Sequence, residues 1–282
     1  MSPSVRNPDR SYGGWLLAII VVLGVVAAGV YLVEKALHPT PAANAPVTAA
    51  APAPSPAPAS ASTVIQHPIA QASAGPAPAS TAALPSLFDS DDSVREALRG
   101  MVNGGDLESL LMTSQIISRV VATVDVLPRQ GLGNTNILPL RTPRGAMQTQ
   151  QSNGNTVIAA ANADRYAPYM AVLEKVDPHT LVAWYKHNYP LFQEAYRQLG
   201  YPHGYFNDRL IVAIDDMLSA PDSHDPVAVT KSSSHYVFVD PQLQSLSNGQ
   251  KLMVRLGAAN EAQMKAKLRM IRELVVGGQV GH

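Results

Sequence analysis

Nineteen consecutive residues without a charge, Trp15 to Val33 (WLLAIIVVLGVVAAGVYLV), constrain this chain more than any other stretch. A helix rising about 1.5 Å per residue needs close to this length to cross a hydrocarbon core about 30 Å thick. Backbone groups in lipid must be satisfied internally, so the segment is expected to span the bilayer as a transmembrane helix. Trp15 and Tyr31 stand near its two ends, where amphipathic rings favour the membrane interface. Gly24 and Ala28 give a small-xxx-small spacing on which a second helix can approach.

A cleaved secretory signal is the competing reading, but its apolar region is shorter and a small-residue cleavage site follows promptly. Here Glu34 and Lys35 close the run, and the nearest Ala-x-Ala match, Ala43 to Ala45, lies well downstream. The stretch therefore reads as an uncleaved single-pass anchor. Arg6 and Arg10 precede it and only Lys35 follows closely. The positive-inside rule then puts residues 1–14 in the cytoplasm and the remainder in the periplasm, anchored to the inner membrane.

From His38 to Ser86 the composition changes to Ala, Pro, Ser and Thr, with eleven prolines and no Asp, Glu, Lys or Arg. Residues 34–86 are expected to form a disordered Pro/Ala-rich linker, because such a composition buries too little apolar surface to offset its ordering entropy. Partial polyproline II character gives the arm reach away from the bilayer. The chain has no cysteine, which removes disulfides and thiolate metal sites. Its formal net charge of zero argues against nucleic-acid binding through phosphate neutralisation.

Residues 87–276 are expected to fold as one mainly α domain with one or two short β-hairpins, followed by a flexible tail at 277–282. Val94, Ala97, Leu98 and Met101 recur at helical spacing. A second helix is predicted from Asp106 through Val124, ending before Pro128. Residues 146–150 and 156–160 are expected to pair across Ser152-Asn153-Gly154-Asn155, and 227–230 with 236–239 across Ser232 to Ser234. Asp177-Pro178 reads as a helix start, with a kink or break expected at Pro190. The last helix carries Lys265, Arg269 and Arg272 along one side, either the wet face of an amphipathic helix or a basic stripe for an anionic partner.

No metal or cofactor signature appears, and no G-x-S-x-G, S-x-x-K, H-E-x-x-H or P-loop pattern. Asp215 and Asp216 are adjacent, but neighbours on a helix point about 100° apart, which keeps them from sharing one proton. The informative stretch is Tyr201-Pro202-His203-Gly204-Tyr205-Phe206-Asn207-Asp208-Arg209. Ten of the sixteen aromatic residues of the chain fall between Tyr166 and Phe206. Tyr201, His203, Tyr205, Asn207, Asp208 and Arg209 together make a candidate binding ledge, with flat apolar faces and hydrogen-bonding groups suited to a sugar or peptide. The same residues also admit a structural reading. Asn207 or Asp208 can cap the next helix, Arg209 can bridge to a helical carboxylate, and the tyrosines can fill the core.

LPSLFDSDDSVREAL (Leu84 to Leu98), ISRVVATVDVLPR (Ile117 to Arg129), YAPYMAVLEKVD (Tyr166 to Asp177), YPLFQEAYRQLGYPHGYFNDRLI (Tyr189 to Ile211) and LSNGQKLMVRLG (Leu246 to Gly257) resemble the uncharacterised proteobacterial family of domain of unknown function 3014. GYFNDRL is the most distinctive piece. The resemblance implies a membrane-anchored envelope protein and no particular reaction. The expectation is a membrane-anchored periplasmic protein that binds or scaffolds another envelope protein or a cell-wall component. The alternative is a cell-wall-acting enzyme using Asp208, with His203 as its second titrating group.

Overall fold

The computed structural model describes residues 64–72, 83–102, 106–131, 137–222, 226–232 and 235–277. The expected span at 15–33 lies outside these residues, as do most of the arm and the tail beyond Gly277. Among the described residues no helix is long and apolar enough to cross a membrane.

The body is mainly helical, with two small antiparallel hairpins on one side. Helix α1 (Asp91–Val102) buries Val94, Leu98 and Val102, with Ala97 and Met101 partly buried against the same core. The predicted second helix is instead two: α2 (Asp106–Leu110) and α3 (Ile116–Val126). Leu111 leaves the helix to make a β-bridge with Leu140, and Gln115 takes a left-handed φ of 55°. Asp91, at the start of α1, then accepts from the Gln115 amide and from the Ile116 amide at 2.6 Å. A carboxylate at a helix N-terminus satisfies amides that have no acceptor of their own. The break between α2 and α3 is therefore capped from another helix.

Helix α4 (Ala167–Lys175) leads to α5 (Pro178–Gln198), where Asp177 caps the start as its sequence suggests. Helix α5 runs through Pro190 without the expected division. Pro190 is exposed, so the Lys186 carbonyl deprived of its amide donor lies on the solvent side of the helix. Helix α6 (Phe206–Leu218) follows, then α7 (Pro241–Ser245), α8 (Asn248–Leu256) and α9 (Ala258–Val276). Helix α8 begins at Asn248 because Ser247 and Gln250 form a reciprocal capping box. Helices α3, α5, α6 and α9 enclose the main core, with Tyr166, Phe192 and Phe206 fully buried.

The hairpins fall close to the predicted places: β1 (Thr149–Ser152) pairs with β2 (Asn155–Ile158), and β3 (Val229–Ser232) with β4 (His235–Phe238). Asn153 and Gly154, with φ of 49° and 78°, make the first turn. The Val157–Ala228 bridge joins the hairpins, and Val229, Phe238 and Val254 form a small second core beneath them.

The last helix does not present its cations as one surface stripe. Lys265 is buried, and its ammonium donates to the Ala220 carbonyl at 2.6 Å and pairs with Asp222 at 2.6 Å and Glu261 at 2.8 Å. Arg272 pairs with Asp215, and Lys267 donates to the Val176 carbonyl. Burial depresses the Lys265 pKa, but the two carboxylates outweigh it and the net shift is upward. A raised folded pKa gives stability that is present in full below 10.5 and lost as pH climbs beyond it. Replacing Lys265 by Met leaves Glu261 buried without its partner, and should cost about 3–5 kcal/mol in urea unfolding. The double variant Lys265→Met, Glu261→Met should recover most of that loss.

Candidate peptide-binding ledge

Helix α5 positions the loop from Gly200 to Tyr205 through one side chain. The Gln193 carbonyl oxygen accepts from the Phe206 amide at 2.9 Å and from the Tyr189 hydroxyl at 2.8 Å, while its amino group donates to the Gly204 carbonyl at 2.7 Å. The start of α6 is satisfied in this way, so neither Asn207 nor Asp208 caps it: Tyr205 is the N-cap and offers no side-chain bond. Gly204 lies against Tyr196, where a Cβ would sit 2.7 Å from the ring. No larger residue fits without moving that ring.

The six candidate residues divide into two groups and an outlier. Tyr201 and Arg209 turn toward Asp125 on α3. The Arg209 Nε donates to Asp125 Oδ1 at 3.0 Å, Arg129 reaches Oδ2 at 2.6 Å, and the Tyr201 hydroxyl donates to Oδ2 at 3.2 Å. Arg129 also donates to Tyr201, and Arg209 to the Asp125 carbonyl. Asp125 is 8 % exposed, and two guanidiniums offset the cost of burying its charge. This hub ties α3 to α6 and to the loop. The pairing raises the Arg129 pKa further.

Tyr205, Asn207 and Asp208 face a different neighbour, the segment Val64 to Ala72 from the stretch expected as linker. Asp208 accepts from the Gln66 amide at 3.1 Å and the His67 amide at 2.7 Å. The Tyr205 hydroxyl accepts from the Ile69 amide at 3.0 Å, and the Asn207 amino group donates to the His67 carbonyl at 2.8 Å. Lys186 on α5 holds the Ala72 carbonyl at 3.0 Å. Each contact is to backbone. Pro68 falls at the one position of the Gln66 to Ile69 run whose amide the ledge does not engage, so its missing donor is no loss.

Asn207 connects this strap to the core. It is fully buried, and its oxygen accepts from the Tyr185 hydroxyl at 2.9 Å while its amino group reaches the strap. Burial pushes the Tyr185 and Tyr189 hydroxyls well above their ordinary range, so both stay protonated as donors. Beyond these contacts the strap buries Ala72, sets Ile69 against the core, and passes over the end of α9. There a Cβ on Gly277 would meet the Gln71 carbonyl at 2.0 Å.

His203 is exposed, and no hydrogen bond joins it to Asp208. Asp208 is occupied by two amides, so no acid and base pair is assembled on the ledge. Asp215 and Asp216 point apart as expected, one to Arg272 and the other to the Ser247 hydroxyl at 2.6 Å. Among the described residues no three His, Asp or Glu side chains gather as metal ligands. Sequence reasoning missed Gln193, Asp125 and the strap. The strap had a signal, since Val64, Ile65, Gln66, His67 and Ile69 interrupt the Ala, Pro and Ser of the arm.

The model of the family described as Protein of unknown function (DUF3014) matches residues 116–272. The chain belongs to the DUF3014 family. The matched region holds Asp125, Gln193 and the whole ledge of this DUF3014 protein, whereas the strap lies outside it. No curated protein and no solved structure matches the chain.

Asp208→Ala removes the acceptor of two strap amides and nothing from the core. It should expose residues 64–72 to limited proteolysis while the body melts within about 1 kcal/mol of the parent. Asn207→Ala should expose the strap and also destabilise the body, by about 1–3 kcal/mol, because the buried Tyr185 hydroxyl loses its acceptor.

Proposed function

We propose that this is a membrane-anchored periplasmic binding or scaffolding protein of the bacterial envelope, whose ledge grips a bent length of peptide backbone. The observation that carries the binding reading is the strap. Tyr205, Asn207 and Asp208 engage three amides and one carbonyl of residues 66–69 and none of their side chains. A site built this way reads the path of a backbone and tolerates varied side chains, as in other peptide-recognition modes that rest on main-chain hydrogen bonds. The anchor reading rests on the uncharged run from Trp15 to Val33 and on the Arg and Lys asymmetry around it.

In cis the strap competes at the effective concentration its tether sets, on the order of millimolar for short flexible connections. A partner segment from another envelope protein must outcompete it, so the resting state is self-occupied and binding is coupled to release of the arm. Release lengthens the tether between the anchor and the body. The enzyme alternative has no comparable support, because Asp208 is committed to backbone amides and His203 faces solvent.

A labelled peptide of residues 64–72 supplied in trans tests this reading. It should bind a full-length His67→Pro chain, whose own strap has lost one gripped amide, more tightly than the parent chain. A peptide N-methylated at Gln66 and His67 should not bind. Equal binding of both peptides, or none of either, contradicts the clamp. For the anchor, protease added to spheroplasts should digest residues 87–276 and spare a membrane-protected N-terminal fragment; an intact domain contradicts the orientation.

A further inference from the structure

Where the hairpins meet the helical body a cavity of about 260 Å³ opens, and none of the ledge residues lines it. Its wall is largely apolar, with Ile158, Val227 and Val254 prominent, and Arg255 is its one charged side chain. The Arg255 guanidinium lies over the Phe238 ring, 4.6 Å from the centroid. Arg129, Arg209 and Arg272 each pair with an aspartate, but among the described residues no carboxylate or carbonyl meets Arg255. Desolvation pulls its pKa down to about 10, and the neighbouring Tyr166 hydroxyl, neutral near pH 7, supplies no counter-charge. Lys251, one turn earlier on α8, is pulled down by burial and then by Arg255 itself. A half-buried cation with a second cation nearby is costly to desolvate, and an anion offsets that cost.

A second, independent feature on the same wall favours negative charge. Gly257 and Ala258 line the cavity and begin α9, a helix of 19 residues whose N-cap, Gly257, has no side chain to accept from its first amides. Such an end carries unsatisfied N–H groups and the positive pole of the helix dipole. The one acid of that first turn, Glu261, is held by Lys265 at 2.8 Å. Arg255 and the start of α9 therefore border one space.

We propose that this cavity binds a small aliphatic carboxylate. The planar fork of Arg255 receives the carboxylate, the first amides of α9 add to its field, and Ile158, Val227 and Val254 enclose the aliphatic body. A single charged side chain within an apolar wall suits a monoanion better than a phosphate. The carboxylate can be that of a free acid or of a peptide C-terminus, and the two are separable by experiment.

Hexanoate, hexan-1-ol, N-acetylvaline and N-acetylvaline amide are titrated by calorimetry into the full-length chain in detergent. Hexanoate or N-acetylvaline should bind, while hexan-1-ol and the amide should not. Tighter hexanoate assigns the site to free acids, and tighter N-acetylvaline to a peptide C-terminus. Arg255→Met should weaken the bound acid about 10- to 100-fold. It should melt no lower than the parent, because it removes a desolvated charge that no carboxylate offsets, and Met keeps apolar contact with Phe238. Arg255→Gln, which keeps a polar group over Phe238, serves as a second variant. Failure of both acids to bind the parent chain, or equal binding by Arg255→Met or Arg255→Gln, overturns the proposal.

Discussion

Buried polar groups must find hydrogen-bond partners, and in this chain one seam through the aromatic core meets that demand and builds the ledge as it does so. Gln193 engages Tyr189, Gly204 and Phe206, and Asn207 takes the Tyr185 hydroxyl. After these bonds one amino group remains, on Asn207, and it faces the strap. The rings around the seam, Tyr185, Tyr189, Phe192, Tyr196 and Phe206, meet edge-on, tilted or stacked, with centroids 4.9 to 6.4 Å apart. That packing fixes the direction in which Asn207 and Asp208 leave the start of α6. The bonds that satisfy the polar atoms of the core also hold the ledge side chains in place.

A strap held by backbone bonds at a half-exposed surface has a different energetic character from the core it touches. Each bond is worth about 1 kcal/mol net, and Ala72 and Ile69 add modest burial. Such a contact opens far more readily than the helical body unfolds. The Asp125 hub, with two arginines on one shielded carboxylate, holds the loop and α6 in place whether or not the strap is present. Rigid support beside a weakly held occupant is the arrangement an exchangeable site requires.

Much of this was legible in the sequence. The apolar spacing of α1, the cap at Asp177 and both hairpins follow from spacing and turn residues. The failures share one cause, which is tertiary contact overriding local pattern. Helix α3 starts where it does because Asp91 lies 25 residues earlier in the chain and next to it in space. Asn207 has the residue type of a cap but faces the core, since Gln193 already serves the Phe206 amide. Lys265 sits on the expected polar face, yet Asp222 and Glu261 draw it inward. At the ledge, the sequence singled out residues 201–209 without separating Tyr201 and Arg209, which serve the fold, from Tyr205, Asn207 and Asp208, which grip the strap. That separation depends on Asp125 and on residues 64–72, both remote in sequence.

Amide hydrogen exchange of the full-length chain tests the central claim most directly, that the arm occupies its own ledge. The amides of Gln66, His67 and Ile69 should exchange more slowly than the free-chain rate and more slowly than those elsewhere in the arm, with Asp208→Ala returning Gln66 and His67 to that rate. Exchange of all three at the free-chain rate in the parent protein would contradict the account.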